Sequence, residues 1–455
     1  MKKYHSLSAF FLVLTLLFSL TVPAWADESG EDFTITAESA ILVEAGTGEV
    51  LFEKDPDARR YPASITKVMT GLLVVEAIER GDLAMDDVIT LGSDIYTGIG
   101  VSGSTAGLQE GEMLTVRDLL NAALIPSANE ACNALATAVA GSISAFVDRM
   151  NERAAELGMT NTHFVNPHGY HDDDHYTTAR DISVMCVEAM SHTDFREIVS
   201  SGTYTIPPTN LHDRERVLKD TNALVDDSKI SGYRYQYAIG IKTGFTTPAG
   251  YCLASAAEKN HRMLIGVLLG GKYWISSDNT VIQDNYFTES RRLLEYGFNN
   301  FSSKTVLDTI EPIGTVPVTL CKEQDYITVL PAQSITATLP NDLDPALFQR
   351  DVTLPDSLQA PIEKGQVLGT ISISYEGRDF GTVDLVATTS LERSQFLYVL
   401  DRIAWALSFL WVKLLLLVVV LLILLLVLRR AIFGPSRKKR RRNQSYSHSY
   451  TGRRR

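Results

Sequence analysis

Residues 403–428 form a run of 26 residues that carries one charge, Lys413, and 414–428 is apolar throughout. A membrane-spanning helix needs about 20 predominantly apolar residues. No other stretch constrains the fold as much, because this one must leave water and so divides the chain into a long part before a bilayer and a short part after it. The composition predicts a helix beginning near Trp405, with Trp405 and Trp411 at the outer interface and Lys413 either snorkelling or facing protein. Arg429, Arg430, the basic run from Arg437 to Arg442, and Arg453, Arg454 and Arg455 follow, with no acidic residue among them. Cations concentrated on one side of a span place that side, residues 429–455, in the cytoplasm. At the opposite end Lys2 and Lys3 precede an apolar stretch from Ala9 to Leu20 and then Ala24-Trp25-Ala26. That is the layout of a secretory signal peptide, residues 1–26, cleaved after Ala26, and its apolar stretch is too short to span. What lies between the two segments is expected outside the cytoplasm.

The exported part is acidic. Of the 42 Lys and Arg in the chain, 14 belong to the signal peptide, the span and the tail, which leaves 28 against 54 Asp and Glu, a net charge of −26. Such an exterior argues against nucleic acid as a partner, and the juxtamembrane cations fit an anionic lipid leaflet. Cys132, Cys186 and Cys252 sit in apolar segments and Cys321 lies far downstream, so all four read as free thiols.

Hydrophobic periodicity gives the order of elements. Ala40-Ile41-Leu42-Val43 and Glu49-Val50-Leu51-Phe52 flank a Gly-Thr-Gly turn and read as paired strands. Helical patterns dominate from Ser64 to about residue 191, including 115–124, 130–140, 143–157 and 181–190. Strands return at 237–243, 251–258 and 262–269, and 290–296 closes the region as a helix. Strands, a helical insertion, then strands and a helix predict an α/β layer structure with an all-helical subdomain. After residue 300 the pattern changes to short alternating strands at 315–320, 326–330, 335–339, 367–375 and 380–386, which predicts a small β-sandwich. The expected domains are 27–300, a β-rich 301–392, a span at 403–428 and the tail 429–455.

Three short segments carry chemistry. Ser64-Ile65-Thr66-Lys67 places a hydroxyl and an amine three residues apart, on one face if Ser64 opens a helix. Pro62 suits the start of that helix, and Ile65, Val68, Met69, Leu72, Leu73, Val75, Ala77 and Ile78 give it a side to bury. A serine hydroxyl needs a base within hydrogen-bond reach, and a lysine serves only if burial or a neighbouring cation such as Lys242 lowers its pKa. Ser127-Ala128-Asn129 and Lys242-Thr243-Gly244 complete the set.

In this order the three segments resemble the active site of the penicillin-recognising serine enzymes, which the sequence motifs of that group describe. More closely, the chain is similar to the low-molecular-weight penicillin-binding proteins of peptidase family S11, the serine-type D-alanyl-D-alanine carboxypeptidases. Phe164-Val165-Asn166-Pro167-His168-Gly169 with His175-Tyr176-Thr177-Thr178-Ala179-Arg180-Asp181 resembles the family's loop and following helix. Phe245-Thr246 with Ala249-Gly250-Tyr251-Cys252 and the strand near Leu264 resemble its catalytic strand and neighbours, and the segment from Ala360-Pro361 to Leu385-Val386-Ala387 its C-terminal β domain. The resemblance implies a β-lactamase/transpeptidase-like catalytic fold, an antiparallel sheet plus helical subdomain. It implies that Ser64 attacks the penultimate D-alanine of a peptidoglycan stem peptide and that β-lactams acylate the same hydroxyl. It further implies Lys67 as base, Ser127 as proton relay, Asn129, Lys242 and Thr243 as substrate ligands, and Gly244 as clearance for substrate backbone. The N–H groups of Ser64 and Phe245 would form the oxyanion hole. No cofactor and no metal is implied. A membrane-spanning C terminus departs from the amphipathic anchor expected of the family.

Other readings compete. His168, His171, Asp172, Asp173, Asp174 and His175 form a ligand-like cluster, but the spacing fits no helical His pair and Gly169 interrupts it, so a solvated loop is expected. The class A β-lactamases resemble this chain in their serine machinery but have a Glu followed four residues later by Asn, which no Glu between Ser127 and Lys242 matches here. A D,D-endopeptidase of the same family differs only in the acceptor it admits. A non-catalytic wall- or β-lactam-sensing protein would not need a paired nucleophile and base, and the tail is too short and polar for a folded signalling domain.

Overall fold

The structure, a computed structural model, describes residues 33–275 and 281–433. The signal peptide and all but the first residues of the basic tail lie outside the described residues. Two compact units are present: residues up to Val306 with Ile335–Phe348 and Tyr375–Arg378, and the remainder from Leu307.

The first unit is built on a five-stranded antiparallel sheet of β1 (Ser39–Glu44), β2 (Val50–Lys54), β3 (Ala238–Thr246), β4 (Gly250–Lys259) and β5 (Arg262–Gly271), in the order β2-β1-β5-β4-β3. Each central strand is apolar on both sides, because both faces are covered. Ile41, Val43, Ile265 and Val267 point into a core shared with the helical insertion. Their neighbours Ala40, Leu42, Leu264 and Leu268 point into a second core with Phe287, Leu293 and Leu294 of the closing helix. Side chains alternate along a strand, so one apolar run feeds two cores.

The helical insertion holds α1 (Lys67–Glu79), α2 (Val116–Leu124), α3 (Asn129–Ala140), α4 (Ile143–Glu156), α5 (Ala179–Ser191) and α6 (Thr193–Ser200). The closing helix is α7 (Tyr286–Asn300). The sequence pattern gives α1 one buried side, but every residue from Lys67 to Val75 is buried. A helix apolar all round belongs at the centre of a core, and α1 is that centre. Local chemistry fixes other helix starts: Thr115 and Asp118 form a reciprocal capping box on α2, and Thr178 and Asn285 accept from first-turn N–H groups of α5 and α7. Helix α6, eight residues long, and the hairpin Thr203–Ile206/Arg216–Lys219, with strands of four residues each, are not among the elements expected from sequence.

In the second unit a six-stranded sheet runs in the order Gln349–Thr353, Val367–Tyr375, Arg378–Ala387, Tyr326–Pro331, Gly314–Thr319, Leu358–Gln359. Four of the expected strands are in this sheet, while the fifth, Ile335–Pro340, belongs to the first unit and pairs with Phe301–Leu307. Val316, Ile327, Val329, Ile371, Ile373, Val383 and Leu385 form the sheet's buried face. The C terminus differs from expectation in register. Helix α8 (Gln395–Ser408) ends at an extended Phe409, and a separate apolar helix, α9 (Leu410–Phe433), is the one long enough to cross a membrane among the described residues. Helix α9 is a candidate membrane span, and Trp405 belongs to the preceding helix α8.

Candidate active site

Ser64 lies in a one-turn 3-10 helix, Ala63–Thr66, that runs directly into α1, with Lys67 as the first α-helical residue. The expected α-helical start is tighter than predicted, and the consequence is favourable: in a 3-10 turn side chains at i and i+3 eclipse. Lys67 Nζ donates to Ser64 Oγ at 2.9 Å and to the carbonyl of His168 at 2.6 Å. Its ammonium is fully buried, and burial lowers the pKa to about 8, while the ionisable groups Cys132 and Glu130 act in the opposite direction.

The turn is held from behind. Ala63 has φ 49°, a left-handed conformation costly for a residue with a Cβ. Its carbonyl accepts from Thr66 Oγ1 at 2.8 Å, and Thr66 Oγ1 lies 2.8 Å from His175 Nε2. His175 Nδ1 accepts the N–H of Val165 at 3.2 Å, so Nε2 carries the proton and donates to Thr66. His168 Nδ1 accepts the N–H of Tyr170 at 3.1 Å. Burial pushes both imidazoles down to about 3, so both are neutral. Within the His/Asp cluster of the sequence, His175 braces the Ser64 turn, whereas Asp172, Asp173 and Asp174 are exposed, as expected of a solvated loop. Among the described residues, the acidic and histidine side chains close enough to share an ion are Glu76, Glu188 and His192, and there Arg153 pairs with Glu76 at 2.8 Å and Glu188 at 2.6 Å.

Ser127 sits between α2 and α3 with φ 73°, and its buried Oγ has no hydrogen-bond partner among the described residues. Asn129 begins α3; its N–H donates to the carbonyl of Ser104 at 2.9 Å. The buried carboxylate of Glu130 accepts from Thr105 Oγ1 at 2.6 Å and the N–H of Ala106 at 2.7 Å, which fixes the glycine-rich loop beside Asn129. Cys132 is buried on α3 and its thiol is pushed up to about 12 by burial, so it is protonated and inert; Cys186 and Cys252 are likewise buried free thiols.

The third segment lies on β3, an edge strand. Lys242 Nζ donates to Thr221 Oγ1 at 3.3 Å and the carbonyl of Thr243 at 3.2 Å, and Thr243 Oγ1 donates to Thr221 Oγ1 at 2.6 Å. Burial lowers the Lys242 pKa and the charge of Lys67 lowers it further, while Asp220 acts to raise it. The expected depression of Lys67 arises from burial and not from Lys242; the effect between the two lysines falls on Lys242, whose pKa the charge of Lys67 lowers. A Cβ on Gly244 would meet the carbonyl oxygen of Pro62 and the nitrogen of Ser64 at 3.0 Å each. Gly244 is therefore required first by the approach of β3 to the Ser64 turn, and not only by a substrate. Phe245 is half exposed, its ring 4.6 Å from that of Tyr251, its cross-strand partner. Thr221 and Asp220 escaped the sequence reading because a single threonine or aspartate after a short strand carries no periodic or motif signal.

Residues 26–273 match the peptidase S11 family, described as D-alanyl-D-alanine carboxypeptidase, and 301–393 match the penicillin-binding protein 5 C-terminal domain. The chain belongs to the D-alanyl-D-alanine carboxypeptidase family. The fold and the class of enzyme, a serine-type carboxypeptidase hydrolase, are borne out with it. D-alanyl-D-alanine carboxypeptidase DacF of Bacillus subtilis is 29% identical over 394 residues, covering 86% of this chain and 96% of the relative. DacC of Escherichia coli K12 is 31% identical over 385 residues, covering 84% and 90%. The crystal structure of penicillin binding protein 5 from Haemophilus influenzae aligns with TM-score 0.61 at 27% identity, over 80% of this chain and 100% of that one.

Proposed function

We propose that the chain removes the terminal D-alanine from peptidoglycan stem pentapeptides through an acyl-enzyme on Ser64. The observation that carries this reading is the 2.9 Å bond between Ser64 Oγ and a fully buried Lys67 whose pKa is lowered to about 8. Neutral Lys67 takes the Ser64 proton as Oγ adds to the carbonyl of the penultimate D-alanine. The N–H groups of Ser64 and Phe245 hold the developing oxyanion, worth roughly 2.7–4 kcal/mol per donor in other acyl-transfer enzymes. Ser127, whose hydroxyl is buried and free of protein partners among the described residues, returns a proton to the leaving amine. The C–N bond breaks, D-alanine leaves, and water hydrolyses the remaining ester. Asn129 binds the substrate amide, Lys242 and Thr243 receive the terminal carboxylate, and the open edge of β3 admits the peptide as an added strand. β-Lactams mimic the peptide and acylate the same oxygen.

On this reading residues 27–300 are the catalytic domain, exported by the signal peptide and held outside the cytoplasm by α9, with the tail on an anionic leaflet. The test is D-alanine release from diacetyl-Lys-D-Ala-D-Ala by the detergent-solubilised full chain beside Ser64→Ala. Release by the parent and none by the variant is expected. A folded parent that forms a penicilloyl adduct but releases no D-alanine overturns the carboxypeptidase reading and favours an endopeptidase or a sensor.

A further inference from the structure

Residues 97–108 form no helix or strand, and glycine stands at 98, 100, 103 and 107. Glycine loses more backbone freedom on folding than any other residue, so this segment needs fastenings. The start of α3 supplies them. Asn133 Nδ2 donates to the carbonyls of Ile95 and Thr97 at 2.9 Å each. The N–H of Asn129, which as a first helical residue has no acceptor within its helix, donates to the carbonyl of Ser104 at 2.9 Å. Glu130 holds the far end of the segment. Its Oε1 accepts from Thr105 Oγ1 at 2.6 Å and from the N–H groups of Ala106 at 2.7 Å and Leu108 at 3.4 Å.

Glu130 is 2% exposed. Burying a carboxylate costs free energy unless donors answer it. Here the donors come from the loop, and the charge sits in the first turn of α3, where the helix dipole favours an anion. The held segment in turn touches a residue of the site. A Cβ on Gly103 would stand 2.8 Å from Asn129 Nδ2 and 2.6 Å from Cγ2 of Ile99. The loop backbone therefore lies directly against the Asn129 amide, and a glycine leaves that amide its room. Asn129 and Glu130 are consecutive residues of one helix, so the carboxylate fixes the loop and Asn129 in a single frame.

We propose that Glu130 is a positioning residue for the reaction: it clamps the glycine-rich segment to the start of α3, and the clamped segment holds the Asn129 side chain where it binds the substrate amide. The inference rests on the proposed carboxypeptidase reading, which gives Asn129 that role.

The test compares two penicillins on the detergent-solubilised full chain. Benzylpenicillin carries a side-chain amide for Asn129 to bind, and 6-aminopenicillanic acid lacks it. Glu130→Ala is expected to lower the second-order acylation rate with benzylpenicillin by about tenfold, the scale of one lost hydrogen bond. The rate with 6-aminopenicillanic acid should change far less, and Asn129→Ala sets the ceiling of this ratio. Glu130→Gln keeps an acceptor oxygen for the loop and should restore the benzylpenicillin rate. All rates are read above the Lys67 midpoint near 8, because the Glu130 charge also acts on that amine. A loss shared equally by the two penicillins is what a merely structural Glu130 gives, and it overturns the proposal. So does a Gln variant no better than Ala, or a ratio that Asn129→Ala leaves unmoved. If Glu130→Ala does not fold, Thr105→Val, at an exposed position, removes one of the donors and must move the ratio the same way; an unchanged ratio overturns the proposal. Acylation is read without turnover, so a parent that acylates but releases no D-alanine sinks the carboxypeptidase reading alone.

Discussion

Substituting alanine at Gly244 tests whether the Ser64 turn and β3 are fitted to each other without slack. The new Cβ would stand 3.0 Å from the oxygen of Pro62, 3.0 Å from the nitrogen of Ser64 and 3.1 Å from Cβ of Ala63. These contacts are tighter than ordinary van der Waals contact, so something must give by a few tenths of an ångström. None of the three atoms is the tip of a flexible side chain. Ala63 is already left-handed, and a Cβ on Gly169 would overlap its carbonyl, so the turn is pressed from the far side as well. Overpacking of this kind costs about 1–3 kcal/mol, and a misplacement of about 1 Å can cost about 100-fold in rate. A few tenths of an ångström, acting on the 2.9 Å Ser64–Lys67 bond, is expected to slow acylation several-fold. The assay is the second-order acylation rate with a fluorescent penicillin beside a thermal melt, which should fall by about 2–4 °C per kcal/mol lost. If Gly244 served only to clear substrate backbone, KM alone would rise and the melt would not move. An acylation rate within about twofold of the parent and an unchanged melt would refute the steric argument.

Three further outcomes follow from the same geometry. The base must be neutral, so acylation should rise with pH through a midpoint near 8, the lowered pKa of Lys67; at pH 7 roughly a tenth of such a lysine is free base, against roughly one in 3,000 for an unperturbed one. A stopped-flow profile that is flat, or that rises only near 10, contradicts this. Thr221→Val removes the hydroxyl shared by Lys242 and Thr243 while keeping the shape, and should raise KM by about tenfold with little change in kcat, the scale of one hydrogen bond to a charged group; a fall in kcat at constant KM would place Thr221 elsewhere in the reaction. Deleting the chain from Leu410 onward removes α9 and should move the protein from the membrane pellet to the supernatant; retention in the pellet would show that α9 is not the anchor.

The legible part of this protein is what local spacing encodes. Strands such as Ser39–Glu44 and Arg262–Gly271 announced themselves as apolar runs, and the order strand, helices, strands, helix carried over to the structure. The chemistry-bearing types at Ser64, Lys67, Ser127, Asn129, Lys242, Thr243 and Gly244 were visible as motifs, although the turn at Ser64 is 3-10 rather than α-helical and the apolar C-terminal helix begins at Leu410, because turn type is set by packing and not by local spacing. Residues without a motif were invisible: Thr221 and the His175–Thr66 brace gain their meaning from partners far along the chain.

The amino-acid sequence by itself determined the repertoire: a hydroxyl one turn from an amine, a long apolar helix that is a candidate membrane span, and strands that bury both faces. Only the tertiary structure decided what those groups are worth chemically. Lys67 is an ordinary cation by sequence and a fully buried amine with pKa about 8 in the fold, packed beside α3 and held by the carbonyl of His168. Helical and strand periodicities act over a few residues and can be read directly, whereas desolvation and the distance between charges depend on segments that meet only when the chain has closed upon itself.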